Sequence, residues 1–261
     1  MIKLIATDID GTLLADGTLK INPEYYDVIK ELRNRGVRVI AASGRQRSSI
    51  EKVFAPIVDE ISFISENGTA VYSKDYQFIN KIPEDVARAY IREARMFPGC
   101  EITINKDNMA NVGLYRYMID DYGYRGELVD NIEDYLDDVC KISIFHHNCA
   151  EKMISQEFVD KWSKTMNIAV SGKFWLDCTN QGGNKGSALQ HFQEAYKISP
   201  DETLAFGDNI NDIEMLKRAS HSFAVENARE EVKEVANFIA PSYKEDGVLQ
   251  VLKAVLRGEL A

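Results

Sequence analysis

Two aspartates stand two residues apart in the stretch "LIATDIDGTL", residues 4–13. Leu4–Ile9 reads as a buried strand, and side chains at i and i+2 of a strand share a face. Asp8 and Asp10 should therefore aim together just beyond the strand's carboxyl end, where open α/β sheets bind their ligands. Gly11 lets the chain turn away there, and Thr12 can brace the turn. A single Asp at such a place is as readily a turn cap as a functional group. Two carboxylates at close range repel unless a proton or a cation comes between them.

A second acidic cluster lies in "FGDNINDIEML". Asp208 follows an apolar run, and Asn211 and Asp212 come three and four residues later. Helix capping explains one or two of Asp208, Asn209, Asn211 and Asp212, since Asp and Asn are favoured N-caps. It leaves unexplained a strand-end Asp that matches Asp8 and Asp10. Carboxylates gathered on one sheet edge would form a hard, oxygen-rich pocket, which suits Mg2+ better than zinc.

Two further stretches could hold an anion. "AASGR" puts Ser43 and the Gly44 N–H at another strand end, and both can donate to a phosphate. An ordinary strand-to-helix turn explains the same residues equally well. "GGNKGS" puts Lys185 at the start of a helix. A solvated lysine is the commoner finding, but the preceding glycine pair and the nearby sheet edge favour an anion contact. A Walker loop does not fit, because Asn184 precedes Lys185 and Gly186 separates Lys185 from Ser187. A dinucleotide fingerprint does not fit either, because the first strand runs into "DIDGTL".

These residues need a scaffold that gathers strand ends. "INPEYYDVIKELRNRG" predicts a helix, with Asn22 as cap, Pro23 at the first position, Gly36 as stop, and Tyr26, Ile29 and Leu32 on its inner face. "VRVIAAS" and "ISFIS" read as strands, with a helix near Gln46–Phe54 between them. Strand–helix alternation is the grammar of a parallel sheet with crossover helices. It returns after Gly183: "NKGSALQHFQEAYKI", "DIEMLKRA", "REEVKEVA" and "GVLQVLKAVLRG" as helices, "ETLAFGD", "SFAVEN" and "NFIA" as strands. The middle differs. "PEDVARAYIREARM" and "EKMISQEFVDKWSKTM" read as helices among the short strands "EITINK", "KISIFHH" and "KFWLDCT". The expected fold is α/β: a Rossmann-like parallel-sheet core, residues 1–81 and 183–261, with helices on both faces, plus an inserted α+β cap domain, residues 82–182.

The totals agree with a globular protein. The chain has 261 residues, room for one or two domains at roughly 150 residues each. Its net charge of −10 argues against a broad nucleic-acid or anionic-membrane surface. An anionic substrate would need local groups or a metal to hold it. Cys100, Cys140, Cys149 and Cys178 form no C-x-x-C pair, which speaks against zinc and for a reducing compartment. No signal peptide or membrane-spanning run is evident, so a cytoplasmic location is expected, as a monomer or small homo-oligomer.

"DIDGT", "SGR", "NKG" and "GDNIND", in that order, resemble the four motifs of the haloacid dehalogenase superfamily of phosphatases. The module between "SGR" and "NKG", together with "ENGT", resembles the Cof-like branch with an α/β cap. The resemblance implies that Asp8 is the nucleophile, giving an aspartyl-phosphate, and that Asp10 is general acid and then base. It implies Mg2+ on the Asp8 carboxylate, the Asp10 carbonyl and Asp208, with Asp212 in the outer shell. Ser43, the Gly44 N–H, Lys185, Asn211 and the Ile9 N–H would hold phosphoryl oxygens. In such enzymes the cap covers the leaving group, so Arg45, Trp175, Asp177 and Asn180 become candidate specificity residues, although Trp175 reads more readily as cap core and Arg45 equally suits a carboxylate partner. His146-His147 invites a metal reading, but neighbours on a strand face opposite ways and no third ligand is evident. Tyr115, Tyr117, Tyr122 and Tyr124 read as cap surface and core.

The function implied is Mg2+-dependent hydrolysis of phosphomonoesters of small metabolites, sugar phosphates among them. A sugar phosphomutase or phosphotransferase and a non-catalytic phosphate-ligand binder are the alternatives.

Overall fold

A computed structural model gives the fold and describes residues 1–15, 18–105, 109–112, 126–148, 150–170 and 174–260. Cys149 and the four tyrosines of 115–124 lie outside these residues. In chain order the first part holds β1 (Leu4–Asp8), α1 (Glu24–Asn34), β2 (Arg38–Ala42), α2 (Arg47–Val53), β3 (Ser62–Ser65), β4 (Ala70–Tyr72) and β5 (Gln77–Ile79). The middle holds α3 (Glu84–Ala94), β6 (Glu101–Asn105), β7 (Met109–Val112), β8 (Gly126–Leu128), β9 (Lys141–Phe145), α4 (Ala150–Met153), α5 (Gln156–Trp162), β10 (Met166–Val170) and β11 (Trp175–Asn180). The last part holds α6 (Lys185–Tyr196), β12 (Thr203–Gly207), α7 (Ile213–Leu216), β13 (His221–Val225), α8 (Glu230–Lys233), β14 (Phe238–Ala240) and α9 (Gly247–Arg257).

The chain divides into two compact units, Met1–Phe78 with Asn184–Ala261, and Ile79–Gly183. The first is built on an eight-stranded sheet of order β14-β13-β12-β1-β2-β3-β4-β5, with helices on both sides. The strands from β14 to β3 run parallel. Strands β1, β3 and β12 are buried throughout, as central strands covered on both faces are, while β14 at the sheet edge leaves Phe238 and Ile239 exposed. The sheet is mixed rather than wholly parallel, because β4 turns back antiparallel to β3. Three-residue strands such as β4 and β5 carry too little periodicity to be read from sequence.

Helix α1 buries Tyr25, Val28, Ile29 and Leu32, the i, i+3, i+4, i+7 stripe of an amphipathic helix. Tyr25, not Tyr26, is thus the inner tyrosine, and its hydroxyl accepts the Leu249 N–H at 3.2 Å. Asn22 does serve the helix start, its side chain accepting the Glu24 N–H at 3.0 Å.

The inserted unit has a six-stranded sheet of order β10-β11-β9-β6-β7-β8, antiparallel except for β7–β8. One face buries Ile102, Ile104, Ile142, Ile144, Leu176 and Cys178 against Tyr90, Ile91, Phe158 and Trp162. The helix expected over "EKMISQEFVDKWSKTM" is two, α4 and α5, because Ser155 caps a new start with its hydroxyl accepting the Phe158 N–H, and Met166 already belongs to β10. The strand expected through His147 stops at Phe145. His146 is buried, its Nδ1 accepting the Asn148 N–H and its Nε2 lying 3.2 Å from the Pro98 carbonyl, so backbone groups occupy both ring nitrogens.

Glu133 ties this unit together, its carboxylate taking Arg88 at 3.2 Å, Arg92 at 3.0 Å and Arg95 at 2.8 Å. The Arg92 bond, helped by Arg88 and Arg95, holds its carboxyl below the usual range. A lowered pKa adds stability above the unfolded value of roughly 4.3, lost as pH falls through the folded value. Glu133→Gln should therefore cost about 1–2 kcal/mol at neutral pH. Thermal melting checks this, and the gap to wild type should narrow below about pH 4.

Candidate active site

Strands β12, β1 and β2 lie side by side and parallel, so their carboxyl ends open on one edge of the sheet. Asp8 ends β1, Asp208 directly follows β12, and Ser43 directly follows β2. Residues separated by as much as three-quarters of the chain thus meet because three parallel strands stop at one level. Carboxylate oxygens of Asp8, Asp208 and Asp212 lie within 4.8 Å of one another.

Lys185 completes the group. Its side chain is fully buried, and Nζ donates to Asp8 Oδ1 at 2.5 Å and to Asp212 Oδ1 at 2.6 Å. Burial alone would push the lysine down, but the carboxylates of Asp212 and Asp8 outweigh it and hold the ammonium above its ordinary value. Burial, and then the neighbouring Asp212 charge, push Asp8 well up despite Lys185. The same two causes push Asp208 up to about 6. Carboxylates that resist ionisation side by side mark a site short of positive charge.

The loops around these groups are pinned by side chains. Thr12 donates to Asp208 Oδ1 at 3.0 Å, so it braces the second acidic loop as well as its own turn. Asp212 Oδ2 accepts the N–H groups of Asp208 and Asn209, both at 3.0 Å. Ile9 begins the turn after β1, its carbonyl accepting the Leu13 N–H at 2.9 Å. Asn227, just beyond β13, donates to the Gly11 carbonyl at 2.7 Å. Sequence reasoning passed over Asn227, although a polar residue after an apolar strand at the same sheet edge was the available signal.

Asp10 stands apart from the Lys185 group. Arg45 grips it with Nε on Oδ2 at 2.7 Å and Nη2 on Oδ1 at 2.5 Å, and also reaches the Thr18 carbonyl at 2.8 Å. Ser43 is buried, its hydroxyl accepting the Arg45 N–H at 3.1 Å, with Gly44 exposed beside it. Asn211 is exposed and donates to the Asn67 side chain at 2.9 Å.

The other three specificity candidates lie in the inserted unit. Trp175 and Asp177 alternate with buried Leu176 and Cys178, so they occupy the opposite face of its sheet. Trp175 is half-buried with its ring 4.9 Å from that of Phe145, and Asp177 accepts the Ser143 hydroxyl at 2.6 Å. Asn180 donates to the Asn80 side chain at 2.9 Å and the Lys81 carbonyl at 3.0 Å, which fastens the two ends of the insertion to each other.

The acidic cluster fits a hard divalent cation. Every donor is a carboxylate oxygen, and Asp8 Oδ2 is buried with no hydrogen-bond partner. Asp212 spends both oxygens on protein donors, which leaves Asp8 and Asp208 as the better inner ligands. Among the described residues this is the one group of three or more His, Cys, Asp or Glu side chains close enough to share a metal.

A strand-end acid cluster on a doubly wound sheet interrupted by an α+β insertion defines a class of hydrolases. The sequence pattern of haloacid dehalogenase-like hydrolases matches residues 5–252. The chain is 32% identical to the 5-amino-6-(5-phospho-D-ribitylamino)uracil phosphatase YbjI of Escherichia coli (strain K12), over 99% of this chain and 97% of that one. It is 27% identical to the phosphatase of the same description, YcsE, of Bacillus subtilis (strain 168), over 97% and 95%. A crystal structure from Eubacterium rectale superimposes with a TM-score of 0.90 at 39% identity, covering 97% of this chain and 99% of that one. The chain belongs to the haloacid dehalogenase-like hydrolase family, and it is a phosphatase.

Lys185→Met would strand two buried carboxylates, and losing one partner of a buried ion pair costs about 3–5 kcal/mol. The variant should melt well below wild type. MgCl2 should raise its melting temperature more than it raises that of wild type, because the cation answers the charge the variant lacks.

Proposed function

We propose that this protein hydrolyses phosphate monoesters of small metabolites in the cytoplasm, with Mg2+ and through an aspartyl-phosphate on Asp8. One observation carries the reading: a buried strand-end carboxylate has one oxygen on a buried ammonium and the other, Oδ2, without a partner. A group so arranged is fixed in direction and has an oxygen to offer.

Phosphoryl transfer asks mainly for positioning and charge stabilisation. Ser43, the Gly44 N–H, the Ile9 N–H, Asn211 and Lys185 hold the phosphoryl oxygens. An Asp8 oxygen attacks phosphorus, the bond from phosphorus to the leaving oxygen breaks, and Asp10 gives that oxygen a proton. Asp10 then takes a proton from water, whose oxygen attacks the aspartyl-phosphate, and inorganic phosphate leaves with Asp8 restored. Asp8, the Asp10 carbonyl and Asp208, with Asp212 behind them, would hold Mg2+, whose charge would ease the approach of a carboxylate to a phosphate dianion. Covalent capture divides one hard displacement into two easier ones.

The Arg45 pairing bears on Asp10. Arg45 takes one lone pair of each Asp10 oxygen and so fixes the direction of the carboxyl, leaving a second lone pair on each oxygen to carry and pass the proton. Sugar and sugar-alcohol phosphates are the substrate class we favour, in keeping with the ribityl phosphate named for the Escherichia coli and Bacillus subtilis relatives. Trp175 and Asp177, on the polar face of the inserted sheet, are assigned to choosing the leaving group, with Asn180 at its edge.

The purified protein should release phosphate from p-nitrophenyl phosphate with Mg2+ and stop when EDTA is added. Asp8→Asn should lower kcat by at least ~10³-fold while leaving the melting temperature near wild type. A bisphosphate product in place of free phosphate would assign the chain to transfer rather than hydrolysis. Absence of turnover in wild type across a panel of phosphorylated metabolites would overturn the reading.

A further inference from the structure

The turn Glu66–Gly68, between β3 and β4, is left-handed at three successive residues, with φ of 50°, 57° and 101°. Two of these are not glycine, and such backbone persists only where its surroundings over-determine it. The surroundings here are three of the loops that hold the reacting groups. The Glu66 N–H donates to the Arg45 carbonyl at 3.0 Å, and the Asn67 N–H donates to the Ser43 carbonyl at 3.0 Å. The Asn67 side-chain oxygen accepts the Asn211 amide at 2.9 Å. The Asn67 side-chain amide lies so close to Gly44 that a Cβ there would come 2.9 Å from its oxygen. Gly68 presses on the backbone leading into Lys185, where a Cβ would fall 2.2 Å from the Asn184 carbonyl.

We infer that Asn67 is a positioning residue for the phosphoryl group: it fixes the separation between the Ser43-Gly44 loop and the Asn211 side chain. The inference rests on the phosphatase mechanism proposed above. Asn67 itself need not touch substrate. Its backbone N–H holds one loop and its side-chain oxygen aims the amide of the other. Among the described residues no second hydrogen bond aims the Asn211 side chain, and Asn211 is exposed. Asn also suits the place by its backbone, since it enters the left-handed region more readily than most residues.

The test is a double-mutant cycle in the full-length protein with Mg2+ and p-nitrophenyl phosphate, using Asn67→Gly, Asn211→Ala and the pair. Asn67→Gly keeps the left-handed backbone and removes only the amide. Each single change should raise KM about tenfold and alter kcat less than threefold, and the double should be no worse than the poorer single. Inorganic phosphate should inhibit each variant correspondingly less well. Asn67→Ala is carried alongside; it removes the same oxygen but leaves a Cβ on strained backbone. It should share the KM of Asn67→Gly while melting lower.

An unchanged KM in Asn67→Gly overturns the inference. So do penalties that multiply in the double variant, or a KM that follows melting temperature between the Gly and Ala variants. Turnover by wild type, abolished in Asp8→Asn, shows separately that the phosphatase mechanism stands, so that failure of the cycle is not mistaken for failure of the mechanism.

Discussion

One ammonium organises the centre of this protein. Lys185 is buried without access to solvent between Asp8 and Asp212, groups that would otherwise face each other across a few ångströms of low-dielectric interior. Such a lysine is tolerated only with carboxylates beside it, and carboxylates so placed are tolerated only with a cation beside them. Each makes the others possible. The count still falls short, for Asp208 brings a third acid and burial lifts both it and Asp8 from their ordinary range. The remaining deficit of positive charge suits the site to a hard divalent cation.

The surrounding loops exist to keep that balance at fixed distances. Thr12 ties the first acidic loop to the second, Asp212 closes the second on itself, and Asn227 secures the backbone at Gly11. Arg45 holds Asp10 away on its own pair of bonds, which separates two acids only two residues apart into different electrostatic settings. One joins the lysine and the other an arginine. Enzymes that need two carboxyl groups to do different work commonly divide them in this way.

Much of this could be read from the chain. The recurrence of acids and glycines where apolar runs stop pointed to the strand-end cluster and the core that gathers it, whereas the i, i+2 parity did not bring Asp10 into that cluster, because the strand ends at Asp8 and Arg45 takes Asp10. Those signals are local and chemically unusual. What escaped was of two kinds. Some was too short to carry a period, such as β4, β5 and β8, or was hidden by one capping serine, as at the break between α4 and α5. Some was decided by partners distant in sequence. Helical spacing alone allowed Tyr26 to face inward, yet the packing of α1 chose Tyr25. Nothing local told that Lys185 would be dry, that Arg45 would close on Asp10, or that Asn227 would reach back to Gly11.

The pairing of β1 with β12 has a consequence for synthesis. Leu4 lies beside Thr203 and Thr7 beside Phe206, so the first strand, paired early on one edge with β2, waits on its other edge for a neighbour almost two hundred residues later. Contacts so remote carry a large loop-closure entropy and form late. The inserted unit is contiguous, and its strands find their neighbours within itself. As the chain leaves the ribosome, that unit can fold while the amino-terminal strand still lacks its second neighbour. The acid cluster, with Asp8 from one end of the chain and Asp208 and Asp212 from the other, comes together only near the end of translation, and a product cut short before Asp208 carries one of its three acids.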